Sequence, residues 1–101
     1  MIMALVDFDV APERRADLLL RLQPLLSEAR TMDGNRSYRA SVNTESAAHI
    51  GLMHEWETMD QFRAYTSSEL MVRIGKVLRP EMTTPPVSRR LRTESIEEIV
   101  G

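Results

Sequence analysis

The first ten residues alternate without interruption: Ile2, Ala4, Val6, Phe8 and Val10 fall on one side, with Met3, Leu5, Asp7 and Asp9 on the other. A period of two marks a β-strand whose faces meet different surroundings, so the chain opens on a strand buried along its even face. Such a strand needs a layer against it, and APERRADLLLRLQPLLSEARTM supplies one. Pro12 suits a helix start, Glu13 and Asp17 sit near the positive end of the helix dipole, and Leu18, Leu22, Leu25 and Ala29, flanked by Leu19 and Leu26, form an apolar stripe. Pro24 lies inside this segment and removes one backbone hydrogen bond, which predicts a kink near Leu20 to Pro24 or a break into two pieces.

The turn signal MDGN follows, with Gly34 free to take positive φ. In the next strand Tyr38, Ala40 and Val42 alternate with Arg39, Ser41 and Asn43. In a third, Ile50, Leu52, His54 and Trp56 share a face opposite His49, Gly51, Met53 and Glu55. Thr58 can cap a helix carrying Asp60, Phe62 and Tyr65, and Ser67 or Ser68 offers a second start for a helix reaching about Leu78. Pro80, Pro85 and Pro86 forbid regular helix before a last strand, Val87 to about Thr93. The order strand, helix, strand, strand, helix, strand predicts an α+β fold. It is the ferredoxin-like split βαβ sandwich, with helices on one face of an antiparallel sheet and one domain over residues 1–101. The uncovered face, with Met3 and Leu5, gives so small a chain a physical reason to dimerise.

Composition narrows the function. Charged residues make up 28% and hydrophobic residues 43%, and no apolar run nears the ~20 residues of a membrane helix, so no membrane partner is expected. The N-terminus lacks the basic region and cleavage site of a signal peptide, which predicts a cytoplasmic protein. With no Cys, disulfides, thiolate metal sites, iron–sulfur clusters and cysteine nucleophiles are excluded. A net charge of −2 gives no overall attraction to nucleic acid. Arg89, Arg90 and Arg92 cluster near the end, Arg90 and Arg92 on one strand face, and read as solvated edge charges rather than a phosphate patch.

Trp56, the only Trp, dominates any apolar cavity it faces; it reads as core or as a ligand wall. His54 shares its strand face, together with Leu52. Tyr65 and Phe62, on the following helix, can fold back over that face. His54 is either a general base able to take a phenolic proton near neutral pH or a hydrogen-bonded core histidine. His49, on the opposite face, reads as exposed, and two His so placed make a metal site improbable. Arg39 and Arg73 are candidate anion-stabilising donors, or else solvated surface charges.

The chain resembles the antibiotic biosynthesis monooxygenase family along nearly its whole length. The residues that carry the resemblance are Asp33 and Gly34 after the long helix, Tyr38 in the strand that follows, and Trp56 leading through WETMDQF to Tyr65, nine positions on. The resemblance implies a dimeric α+β barrel with a pocket between sheet and helices. It implies oxidation of a small phenolic, anthrone-like or quinol substrate by O2, with no cofactor or metal. His54 and Tyr65 would be the catalytic pair, and Trp56, Phe62, Leu52 and Arg73 the substrate contacts. Two departures stand out. His54 occupies the place where the family often has Glu, and Tyr65 the place where it often has His. Haem degradation is disfavoured, because the axial His of haem-degrading relatives would fall at or near Gly75 and their Trp at Tyr65. A dimeric binding or accessory protein without catalysis, or an isomerase or cyclase, is the alternative on the same fold.

Overall fold

The computed structural model describes residues 1–101. Strand β1 (Ile2–Asp9) passes through a single 3₁₀ turn at Pro12–Arg14 into helix α1 (Arg15–Ala29). Strands β2 (Asn35–Ser41) and β3 (His49–Trp56) follow. Helices α2 (Met59–Thr66) and α3 (Glu69–Leu78) come next, then strand β4 (Val87–Arg92). The sheet is antiparallel throughout, in the order β2-β3-β1-β4, so the first and third strands occupy its centre and β4 an edge. This is the ferredoxin-like α+β arrangement the alternation predicts.

Even-numbered residues of β1 and β3 build the core with the helices. Ile2, Ala4, Phe8 and Val10 are buried, as are Ile50, Leu52, His54 and Trp56. Helix α1 buries Leu18, Leu22, Leu26 and Ala29, whereas Leu25, assigned to the stripe from sequence, is only half-buried. The buried set follows i, i+4, i+8 and i+11, the row that lies straightest along a 3.6-residue helix.

Pro24 does not break α1, contrary to one of the two sequence expectations. The helix runs unbroken from Arg15 to Ala29. Proline there removes only the bond to the Leu20 carbonyl, and Leu20 lies on the solvent side, 73% exposed, where water can take that carbonyl. Leu22 and Leu26 meanwhile hold both flanks of the proline in the core.

The helices on the Trp56 side begin where polar caps allow them. Thr58 accepts from the Gln61 N–H at 3.2 Å to start α2, and Ser68 accepts from the Met71 N–H at 3.2 Å to start α3. On the other side of the sheet His49 is half-buried rather than exposed. Its Nδ1 accepts the Asn43 N–H at 2.9 Å and its Nε2 lies 2.8 Å from Asp7 Oδ1. No helix is long and apolar enough to cross a membrane.

Gly34 adopts φ +79°, and a Cβ there would run into the Gln61 side chain. Two independent penalties therefore act at this position, one from the backbone and one from contact with α2. Gly34→Ala should lower stability by ~1–3 kcal/mol in denaturant titration. In a Gln61→Ala background the loss should be smaller, leaving the backbone term alone.

Candidate active site

A cavity of about 620 Å³ opens between the helix-facing side of the sheet and helices α2 and α3. Its walls are mainly apolar, with Ala4, Val6, Leu52, Phe62, Ile74 and Leu78 among them. Polar groups converge at one end. The register of β2 against β3 puts Tyr38 directly opposite His54, and the two rings stack at 4.3 Å and 6°. Tyr65 comes from α2 one turn after Phe62, with its ring edge-on to His54 at 5.3 Å, and its hydroxyl lies 2.6 Å from that of Tyr38.

Trp56 holds this cluster from behind. Its indole Nε1–H donates to His54 Nδ1 at 2.8 Å, and its ring packs against Tyr65 at 5.0 Å. An imidazole that accepts at Nδ1 carries its proton on Nε2 when neutral. That second nitrogen has no partner within the chain. Gln61 Oε1 is the one fully enclosed side-chain polar atom left without a partner, so His54 Nε2 is open to the cavity. Burial, with a smaller contribution from the positive charge of Arg90, lowers the His54 pKa to about 4. His54 is therefore a neutral N–H donor at physiological pH.

The tyrosine pair supplies a second donor. Two hydroxyls share one hydrogen bond, so whichever donates, one phenol proton is left without a partner in the chain. Burial raises both pKa values, that of Tyr38 furthest because its charged form would also face Tyr65. Both phenols thus stay protonated near neutrality. This end of the cavity offers the His54 Nε2–H and one phenol O–H of the Tyr38–Tyr65 pair, donor types suited to a carbonyl or phenolate oxygen.

Four of the residues assigned from sequence line the cavity: Leu52, His54, Phe62 and Tyr65. Trp56 does not. It is completely buried and positions His54 instead of forming a wall. Arg73 is directed away and pairs with Glu28 of α1 at 2.6 Å, because its place on α3 faces the neighbouring helix. Arg39 is exposed on the opposite sheet face, one residue out of phase with Tyr38. Among the cavity residues that sequence does not assign to the site are Tyr38, which needs the β2–β3 register that no local pattern contains, and Arg90, which in sequence reads as a solvated edge charge. Its guanidinium carbon lies 5.2 Å over the Phe62 ring at the cavity mouth. No cluster of three or more His, Asp or Glu converges to hold a metal ion.

The fold and this cavity define a class of small ferredoxin-like proteins with a ligand pocket between sheet and helices. Within it, the chain belongs to the antibiotic biosynthesis monooxygenase family, whose model matches residues 1–76. No curated protein matches the chain. Among solved structures it is similar to Rv0793 from Mycobacterium tuberculosis, with TM-score 0.82 and 16% identity over 96% of this chain and 98% of that one. A conserved protein from Methanosarcina mazei is similar at TM-score 0.84 and 16% identity, covering 92% of each chain. A candidate antibiotic biosynthesis monooxygenase from Caulobacter crescentus matches at TM-score 0.85 and 16% identity, over 93% of this chain and 90% of its own. At such identities these structures share the fold.

The lowered pKa of His54 has a consequence for stability. Between pH 6.5 and 4 the unfolded chain binds a proton that the folded one resists, so stability falls as pH falls through that window and is complete above it. The loss attributable to His54 amounts to ~3 kcal/mol at most. His54→Gln should flatten this part of the profile in urea titrations at stepped pH. Glu81, whose pKa is lowered chiefly by its hydrogen bond from Arg14, adds an acid loss common to both proteins. The difference between the two curves therefore reads His54.

Proposed function

We propose that the protein is a cofactor-independent monooxygenase that oxidises a flat phenolic, anthrone-like or quinol molecule with O2, working as a homodimer in the cytoplasm. One observation carries this reading: His54, its Nδ1 occupied by Trp56, and the hydrogen-bonded Tyr38–Tyr65 pair stand together at one end of an apolar cavity. Family membership supplies the reaction class.

The direct reaction of triplet O2 with a closed-shell organic molecule is slow, so the substrate must first become electron-rich. Loss of a proton to solvent gives a phenolate or enolate, whose oxygen the two donors stabilise. That anion passes one electron to O2, and the resulting radical and superoxide combine to form a C–O bond. Protonation of the peroxide and loss of water then turn a ring CH2 into a carbonyl, with one O2 consumed and one water released. The apolar walls keep bulk water from the intermediates.

In this reading His54 acts as a donor and not as the general base, which is one of the two roles its sequence position allows. An imidazole with a pKa near 4 is about six units too weak to deprotonate an ordinary phenol, a handicap of ~8 kcal/mol. The absence of any carboxylate lining the cavity favours, as the second reading, a dimeric protein that binds such molecules without converting them.

Oxygen uptake with a panel of anthrones and hydroquinones separates the two readings: uptake matched by quinone formation is expected, and binding without uptake would sink the oxygenase. With an active substrate, His54→Ala should lower turnover by ~100-fold or more, as loss of an oxyanion donor does. Wild-type turnover should show no inflection near pH 6.5; one there would restore His54 as base. Light scattering should give a particle of twice the 11.6 kDa chain mass, and a monomer at micromolar concentration would remove the dimer.

A further inference from the structure

The charged side chains around the cavity carry one sign. Lys76 and Arg79 come from the end of α3 and the turn after it and Arg90 from β4, and neither Asp nor Glu lines the cavity. The whole chain has a net charge of −2, so this is segregation of charge rather than a generally basic surface. Four arginines elsewhere are neutralised in pairs, Arg14 and Arg21 with Glu81, Arg36 with Glu57 and Arg73 with Glu28. None of the three cations Lys76, Arg79 and Arg90 joins an ion pair.

Two of them are placed by neighbours. The Arg90 guanidinium sits over the Phe62 ring at 5.2 Å, a cation–π contact that anchors it beside the cavity, and its N–H groups, unpaired within the chain, are free to bind a planar oxyanion. Arg79 lies across Gly75, with Nε 3.6 Å from where a Cβ would stand. Arg79, Arg89 and Arg90 also follow the last residue matched by the family model, so family membership says nothing about them.

We propose that the natural ligand is an organic anion: a flat apolar body whose inner oxygen meets His54 and the tyrosines, and whose outer end bears a carboxylate bound by Arg90, with Arg79 and Lys76 reinforcing the field. The reading of the inner end rests on the proposed oxygenase; the charge preference does not. A carboxylate at an open mouth keeps part of its hydration, so it avoids the desolvation cost of a buried ion while gaining a two-pronged contact. Cations concentrated at one mouth also draw anions in faster than neutral molecules.

A matched pair of probes tests this: anthraquinone-2-carboxylate and its neutral carboxamide, titrated at pH 7 with Trp56 fluorescence as readout. The carboxylate should bind ~10-fold tighter or more. That advantage should shrink as salt rises from ~20 to ~500 mM. Arg90→Gln should remove most of it while weakening carboxamide binding far less, and Arg90→Lys should keep a part. Circular dichroism checks the fold of each variant, and Arg79→Gln gives a second, milder reduction if Arg90→Gln proves unstable. Equal affinity for the two probes would overturn the anionic ligand while leaving the oxygenase standing. A carboxylate preference that survives the Arg79→Gln, Arg90→Gln double variant would overturn its assignment to the mouth. Failure to bind either probe would overturn both readings. Carboxylate binding without oxygen uptake from any substrate would sink the oxygenase alone.

Discussion

The hydrogen bond from Trp56 to His54 is where the structure commits itself. Both partners are buried on the same strand face, and either atom left unpaired would cost ~1–3 kcal/mol. The bond settles the imidazole tautomer, and a neutral ring with that tautomer has only its other nitrogen to offer a ligand. Protonating Nδ1 would set two N–H donors against each other in a site that already disfavours charge. Tyr38 on one face and Tyr65 at the edge keep the ring from turning to escape this arrangement.

The aromatic cluster draws on three separate elements of the chain, so the site exists only when sheet and helices are both assembled. His54 and Trp56 come from a central strand, Tyr38 from an edge strand paired to it, and Phe62 and Tyr65 from the capped helix that follows. Helix α1 contributes no cavity side chain, yet its four buried residues complete the core. The opposite sheet face is different in kind: it mixes Met3, Leu5 and Met53 with Asp7, His49 and Glu55, and the polar members find partners there. A half-buried face of that composition suits contact with another protein surface better than a ligand pocket.

Much of this was legible before any coordinates, and the limits follow from what a sequence pattern can encode. Alternation at residues 2–10 and 50–56 fixed which side chains face the helices, and Thr58 and Ser68 marked helix starts, because both signals are local. What local signals lack is register. Tyr38 opposite His54 and Arg90 opposite Ala4 are decided by strand pairing, so sequence shows the one as a strand residue and family signature and the other as an edge charge, neither as part of the site. Pattern also cannot say which of two adjacent leucines turns inward, hence Leu26 in place of Leu25. Nor does it give hydrogen-bond direction: the bond from Trp56, invisible in sequence, occupies His54 Nδ1 and leaves only Nε2 facing outward.

Strand β4 is tied to the sheet along one side only, by its pairing with β1, and is reached through a proline-containing segment outside any helix or strand at Thr83–Pro86. Its register therefore depends on how many residues that segment contains. Gaining or losing one would turn Arg90 away and present Arg89 and Leu91 to the helices, whereas a change of two would keep a side chain's facing and slide it by about 7 Å. Lineages that lengthen or shorten this connection in steps of two can retune which molecules enter while His54 and the tyrosines stay where they are. Loop length becomes an evolutionary dial on selectivity, uncoupled from the residues at the pocket's inner end.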